Sequence, residues 1–316
     1  MVRIGKALAV IGVVALALAA CDSGSDSGSE SGGSDGGGDE AATTTTTAPL
    51  PPPIDDQTPP VGANGIADAG DGSFWVADLA GGELLRVDAT SGAILARFGE
   101  ADGLSAPDDV AIADDGSVYY TGLNDGVVGR VTTEGDVEVV AEVPVGVNPI
   151  TLTDDGRLFV GLEVDAPADA IYEIDLTGDT EPRLVGEDMG RLNAFDVGPD
   201  GFLYGPGFGL EGAGTLVRVD LETGETEEIT DGFGYSVSVR FGEDGTAYVA
   251  QTAPPKLWSV DLETGEMTEV ATPSIPLVDN FAITDDGFAL TAFNAPTIEL
   301  FGPDGTSEGQ ITIGSP

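Results

Sequence analysis

The sequence predicts an all-β protein, a six-bladed β-propeller with four antiparallel strands per blade, behind a non-globular leader. Three observations carry this expectation. At a regular spacing an Asp-Gly pair sits between two short apolar, β-rich runs, at Asp71-Gly72, Asp115-Gly116, Asp155-Gly156, Asp200-Gly201, Asp244-Gly245 and Asp286-Gly287, with gaps of 44, 40, 45, 44 and 42 residues. Glycine accepts the positive φ that a tight turn between twisted strands demands, so each pair marks a hairpin. No segment carries a helical period of useful length. A period of about 43 residues with one hairpin per unit is the mark of radial repetition, one blade per period.

Each unit reads in the same order. The innermost strand comes first and has polar breaks: Gly65 to Ala69, Asp109 to Ala113, Pro149 to Thr153, Ala194 to Gly198, Val237 to Phe241 and Phe281 to Thr284. After the Asp-Gly turn comes a second, aromatic-rich strand, as in Phe74-Trp75-Val76, Val118-Tyr119-Tyr120 and Leu158-Phe159-Val160. These rings are expected to form the core between blades. The third strand ends in apolar-x-apolar-Asp in four units, at Asp88, Asp175, Asp220 and Asp261. A Ser-Gly or Thr-Gly turn opens the outer strand at Ser91-Gly92, Thr223-Gly224 and Thr264-Gly265. The last outer strand runs to the C-terminus and the first unit begins with its inner strand, so the blades read as contiguous. Ile54 to Val61 could still add a closing strand, and both closures stay open at this point.

The N-terminus is read as an address. Arg3 and Lys6 precede an apolar stretch from Ala7 to Ala20, a length that suits a signal peptide and is short for a spanning helix. Leu18-Ala19-Ala20-Cys21 resembles the lipobox of bacterial lipoproteins, and the resemblance implies lipidation of Cys21. The expected division is a signal peptide over 1–20, a lipidated cysteine and disordered linker over 21–61, and the propeller over 62–316. The linker runs through Ser, Gly and Asp to Thr43–Thr47 and then Pro49 and Pro51–Pro53. Such a composition lacks the apolar surface to offset ordering entropy. The expected location is the extracytoplasmic face of the cell membrane, reached by export and held through the lipid anchor.

Composition removes several chemistries. The chain has no histidine and a single cysteine. Ser-His-Asp and Cys-His nucleophile systems, histidine bases and histidine-ligated zinc are therefore excluded, as is an intramolecular disulfide. The formal charge of −45 disfavours nucleic acid and favours cations. A monomer is expected, with a small molecule or a protein as its further partner.

A propeller gathers its innermost strands around one axial channel, so chemistry is sought at equivalent positions of the repeats. Seven residues before the Asp of each Asp-Gly turn stand Asn64, Asp108, Asn148, Asn193, Val237 and Asp279. Five of the six are Asn or Asp, at the start of an inner strand where side chains can point at the axis. Oxygen donors of this kind suit calcium, which takes about six to eight of them. The expected metal ligands are Asn64, Asp108, Asn148, Asn193 and Asp279.

Phe74-Trp75-Val76-Ala77-Asp78 followed by Leu84-Leu85-Arg86-Val87-Asp88 resembles the opening blade of the gluconolactonase/regucalcin (senescence marker protein) family. Asp279 with Gly287 eight residues on resembles that family's metal-binding aspartate segment. Leu277-Val278-Asp279-Asn280 is similar to the paraoxonase segment whose Asp-Asn pair binds catalytic calcium. Leu192-Asn193 with Val197-Gly198-Pro199 is similar to a paraoxonase calcium-asparagine segment, and the blade spacing over 62–313 resembles NHL-type propellers. These likenesses imply calcium as cofactor, Asp279 as catalytic base or ligand, and Asn280 and Ser236 as substrate-binding residues. The chain departs from the gluconolactonase ring in two places: Asn64 stands where a glutamate is expected, and Val237, flanked by Ser236 and Ser238, where the aspartate is expected.

Two functions remain open on these residues. One is a calcium-dependent lactone or ester hydrolase of gluconolactonase-like type. The other is a non-catalytic propeller lipoprotein that binds a ligand or a protein through its channel mouth.

Overall fold

The computed structural model describes residues 49–163, 169–207 and 214–314. The expected signal peptide, Cys21 and most of the linker lie outside the described residues. Within them the chain forms six four-stranded antiparallel sheets, each built from consecutive strands. Blade 1 holds β1 (Ile66–Asp68), β2 (Ser73–Asp78), β3 (Glu83–Asp88) and β4 (Ile94–Phe98). Blade 2 holds β5 (Pro107–Ile112), β6 (Val118–Gly122), β7 (Val127–Val131) and β8 (Val137–Glu142). Blade 3 holds β9 (Val147–Leu152), β10 (Leu158–Leu162), β11 (Ile171–Ile174) and β12 (Arg183–Gly186). Blade 4 holds β13 (Asp196–Val197), β14 (Leu203–Pro206), β15 (Leu216–Val219) and β16 (Thr226–Thr230). Blade 5 holds β17 (Tyr235–Phe241), β18 (Ala247–Ala253), β19 (Pro255–Val260) and β20 (Met267–Ala271). Blade 6 holds β21 (Val278–Thr284), β22 (Gly287–Ala292), β23 (Ala295–Phe301) and β24 (Ser307–Thr312). The expected fold is the observed one, and one short 3-10 turn, Glu100–Asp102, is the helical element among the described residues.

Five of the Asp-Gly pairs behave as their chemistry requires. Gly72, Gly116, Gly156, Gly201 and Gly245 take φ between 81° and 88°, the left-handed turn conformation. The sixth differs. Gly287 is the first residue of β22, with φ of 139°, and a Cβ there would stand 2.1 Å from the Phe301 carbonyl oxygen. Close approach of two strands, rather than turn geometry alone, demands glycine at this position.

Six apolar clusters fill the six interfaces between neighbouring blades. Ala77 and Leu84 of blade 1 meet Val110, Val118 and Tyr120 of blade 2. Tyr119 and Val128 meet Ile150 and Leu158, and Phe159 meets Phe195 and Leu203. Tyr204 and Leu216 meet Val239 and Val249, and Val237 meets Phe281 and Leu290. The ring closes where Phe74, Val76 and Leu85 of blade 1 pack on Ala289, Ile298 and Ile311 of blade 6. The aromatics of the second strands are core, as their spacing predicts. Burial between blades is the main source of cohesion, since each sheet has two apolar faces to cover.

Residues 54–61 form no strand, and among the described residues no extra strand closes the ring. They nonetheless dock on blade 1. The Ile54 amide donates to the Ile94 carbonyl (3.0 Å), and Gln57 exchanges two side-chain hydrogen bonds with the Ile94 backbone. Asp78, fully buried, accepts from the Val61 (2.7 Å) and Gly62 (3.2 Å) amides. Packing of Ile54 on the core between blades 1 and 6, together with these hydrogen bonds, holds the stretch against the blade edge.

Candidate functional site

All six inner strands run the same way along the axis, so their first residues share one end of the channel, the mouth. In blades 2, 3, 5 and 6 the inner strand begins earlier than its composition suggests and carries the ring position inside it. The reason is a register break. Asp108 and Asp109 lie between the Pro107–Gly122 and Val110–Tyr120 pairs, so two residues face one partner. Asp279 and Asn280 do the same between Val278–Ala292 and Phe281–Leu290. Asn148 with Pro149, and Val237, sit at matching breaks. A bulge bends the strand and re-aims its side chains, which lets a polar residue reach the axis without ending the ladder. Threonines opposite two of these bulges tie them to the next blade. Thr121 Oγ1 donates to the Asn148 carbonyl (2.6 Å), and Thr291 Oγ1 donates to the carbonyls of Asn64 (2.8 Å) and Asn280 (3.1 Å).

The structure gathers four of the expected ligands, Asn64, Asp108, Asn148 and Asp279, at the mouth and adds a carboxylate that sequence reasoning missed. The Asn64 side chain hydrogen-bonds the carboxylates of both Asp108 and Asp279, while its Oδ1 accepts from the Leu79 amide (3.2 Å). Asn148 Nδ2 donates to Glu163 Oε2. Glu163 follows β10 and is 3 % exposed. Blades 6, 1, 2 and 3 thus supply one connected set: Asp279, Asn64, Asp108, Asn148 and Glu163.

Its electrostatics are unusual. Burial raises Asp279 to about 7, helped by the charge of Asp109 and opposed by the Asn64 hydrogen bond. Burial raises Glu163 to about 8, with Asp279 adding to the rise and Asn148 and Arg191 opposing it. Asp108 is pushed well above the carboxylate range by burial and by the charges of Asp279, Glu163 and Asp109. Three acids gathered in a poorly solvated mouth, with the charge of Asp279 raising the other two, favour retaining protons or receiving a cation.

The other half of the ring is different. Asn193 turns its Oδ1 back to the Ala194 amide (2.7 Å). Ser236 is fully buried and donates to the Thr215 carbonyl (3.4 Å). Val237 packs in the core between blades 5 and 6. Asn280 lies deeper in the channel than Asp279, bonded to Asp109 and Arg240. No three Asp, Glu, His or Cys side chains among the described residues form a ready cage for a metal ion. The donor chemistry still fits a hard cation: oxygen atoms alone, excess negative charge, and amides whose oxygen end can be presented by a half-turn. As they stand, Asn64 and Asn148 offer their NH₂ ends to carboxylates, occupying the electrostatic place of a cation.

Past this layer the channel opens at its other end into a cavity of about 240 Å³, lined by Asp68, Thr151, Asp196, Arg240 and aliphatic residues of the inner strands.

The fold and site define a six-bladed β-propeller with an acidic, amide-rimmed channel mouth. No protein-family model matches the chain, and no curated protein matches it. Among solved structures it is similar to a streptogramin B lyase (TM-score 0.60, 18 % identity, covering 82 % of this chain and 85 % of that one). It is similar to a gluconolactonase from Xanthomonas campestris (TM-score 0.60, 12 % identity, 78 % and 84 % covered). A third neighbour is regucalcin from Agrobacterium tumefaciens, described as a calcium-binding protein (TM-score 0.57, 18 % identity, 74 % and 83 % covered). At these identities the likeness establishes a shared fold. A histidine variant of the related virginiamycin B lyase from Staphylococcus aureus is described as catalytically inactive, and this chain contains no histidine.

Proposed function

We propose that the protein is a calcium-dependent hydrolase of lactones or esters, with its site at the channel mouth. The observation that carries this reading is the set formed by the half-buried Asp279 and the buried Asp108 and Glu163 at one end of the channel: burial raises Asp279 to about 7 and Glu163 to about 8, and pushes Asp108 well above the carboxylate range. Paired carboxyls displaced toward neutrality can exchange protons with a reacting group at working pH. The gluconolactonase and regucalcin neighbours support the same direction. Asp279, Asp108 and Glu163 would hold the cation, with Asn64 and Asn148 turning their oxygen ends inward. When bound, the cation would polarise a carbonyl oxygen and lower the pKa of water. Asp279 takes a proton from the attacking water, and Asn64 fixes the orientation of its carboxyl. The same carboxyl then returns that proton to the departing alkoxide, while Glu163, held by Asn148, would stay ionised on the cation. The buried rim limits the number of waters that compete.

Calcium titration by calorimetry, followed by rates on a lactone and aryl-ester panel for wild type and Asp279→Asn, tests the proposal. Saturable binding with turnover lost in the variant supports it. The retracted Asn193 and Ser236 and the apolar Val237 favour a second reading, a non-catalytic binding module. Calcium binding without turnover on any substrate of the panel would select that reading.

The sequence supports a tether through lipidated Cys21 on the extracytoplasmic face of the membrane. Cys21→Ser is expected to release the protein from the membrane fraction and abolish labelling by a palmitate analogue. Continued labelling of the variant would overturn the tether.

A further inference from the structure

Blade 5 is the blade whose ring position is apolar, yet it delivers a charge to the axis deeper in the channel. Arg240, near the end of β17, has a side chain only 16 % exposed. Its Nη1 donates to the Phe195 carbonyl of blade 4 (3.2 Å) and to the Val239 carbonyl (2.9 Å). Its Nη2 donates to Asn280 Oδ1 of blade 6 (3.0 Å) and stands 3.8 Å from Asp109 Oδ1 of blade 2. Asn280 Nδ2 donates to the same Asp109 oxygen (2.9 Å), closing a triangle across the channel. One guanidinium therefore joins blades 2, 4, 5 and 6. The rigid, planar arginine fork holds these partners in fixed directions, which a rotatable ammonium would not.

Asp109 and Asn280 are the second residues of the two bulges whose first residues are Asp108 and Asp279. Each also anchors the strand beyond its bulge. Asp109 Oδ1 accepts from the Val110 amide (2.9 Å) and Asn280 Oδ1 from the Phe281 amide (2.9 Å). Two adjacent bulge residues share one distorted stretch of backbone, so fixing one fixes the direction of the other. We propose that Arg240 is the positioning residue of the mouth: by holding Asn280 and Asp109 it sets the separation and aim of Asp279 and Asp108. It touches neither of those carboxyls. This inference rests on the cation-binding part of the proposed function, and it accounts for a polar contribution from the blade that lacks one at the rim.

Arg240→Met alone would leave Asp109, 1 % exposed, without its cation, so the decisive variant is Arg240→Met combined with Asp109→Asn. Arg240→Lys serves as the conservative partner. The probe is europium in place of calcium, read by luminescence lifetime, which counts waters on the ion. The site signal is the part lost in Asp108→Asn. Loss of an outer partner of a metal site costs about 10-fold to 100-fold in affinity. The double variant should weaken europium binding by about tenfold or more, with a shortened lifetime from added water, while Arg240→Lys lies between it and wild type. A merely structural role would lower the melting temperature and leave the lifetime unchanged. Folded variants with wild-type affinity and lifetime overturn the inference. Should wild type show no site signal, the cation reading fails, and hydrogen exchange decides for Arg240. Faster exchange at Val110 and Phe281 in Arg240→Lys, beyond that of other inner-strand amides, supports positioning; unchanged exchange there overturns it.

Discussion

Replacing Glu163 by Gln should make the protein more stable at alkaline pH and leave it nearly unchanged at acid pH. Glu163 is buried and raised from 4.5 to about 8. A carboxyl with a raised folded pKa stabilises the fold while it is protonated. That contribution is complete below 4.5 and is lost as pH rises through about 8. Each pKa unit corresponds to about 1.4 kcal/mol, so ionisation costs roughly 3 kcal/mol by pH 7 and on the order of 5 kcal/mol by pH 9. Domains have roughly 5–15 kcal/mol in total, so the effect is large. Gln keeps an oxygen for the Asn148 Nδ2 and removes the charge. Acidic surface groups do not obscure the result: Asp175, held at about 2 by hydrogen bonds from Thr177 and Thr180, is ionised throughout this range. The assay is urea unfolding with chelator present, at pH values from 5 to 9. The variant should exceed wild type by roughly 4 kcal/mol near pH 8, about 8–16 °C in melting temperature for a domain of this size. Parallel pH profiles for the two proteins would refute the reasoning, as would a variant that is less stable at pH 8.

Asp279→Asn should lower hydrolytic rates by orders of magnitude, while its melting temperature at pH 8 in chelator rises, because a raised carboxyl has lost its charge; rates and melts on one preparation check both. Gly65→Ala should destabilise by several kcal/mol, about 3 or more, since its Cβ would lie 2.7 Å from the Asp108 carbonyl oxygen and from the Asp109 Cα; chemical denaturation measures this. Thr291→Val should cost about 1–3 kcal/mol and weaken calcium binding, because two buried carbonyls, of Asn64 and Asn280, lose their donor; melting and calorimetry together would detect it.

The architecture was legible because a blade repeats its turn chemistry and its apolar alternation, and six copies of a weak signal make a strong one. The ring register was legible for the same reason, and the structure places Asn64, Asp108, Asn148 and Asp279 from that register at the mouth. What lay beyond the sequence was direction. Asn193 shares the register yet bonds back to Ala194, because whether an amide reaches the axis or its own backbone depends on the loop before it. The bulges were not legible either, since pairing two residues against one is decided between strands. Glu163 follows the second strand of its blade and belongs to no repeated inner position. Its signal was an acid directly after the apolar run Leu158–Leu162, as Asp78 ends the run of β2; both prove buried. Arg240 read as an ordinary strand residue, and its role emerged only when blades 2, 4 and 6 were placed around it. The docking of 54–61 was hidden because the ordering partner, the Ile94 edge, is distant in sequence.

The central claim is that a cation and protons compete for the buried carboxyls of the mouth. Calcium titration calorimetry at pH 7 in buffers of different ionisation enthalpy tests it most directly, using wild type and Asp279→Asn. The account predicts one saturable site per chain, with a heat that changes from buffer to buffer because protons leave Asp279 and Glu163 as calcium enters. The variant should bind more weakly and release fewer protons. A heat independent of the buffer, or only the diffuse, unsaturable binding that any strongly acidic surface shows, would contradict it.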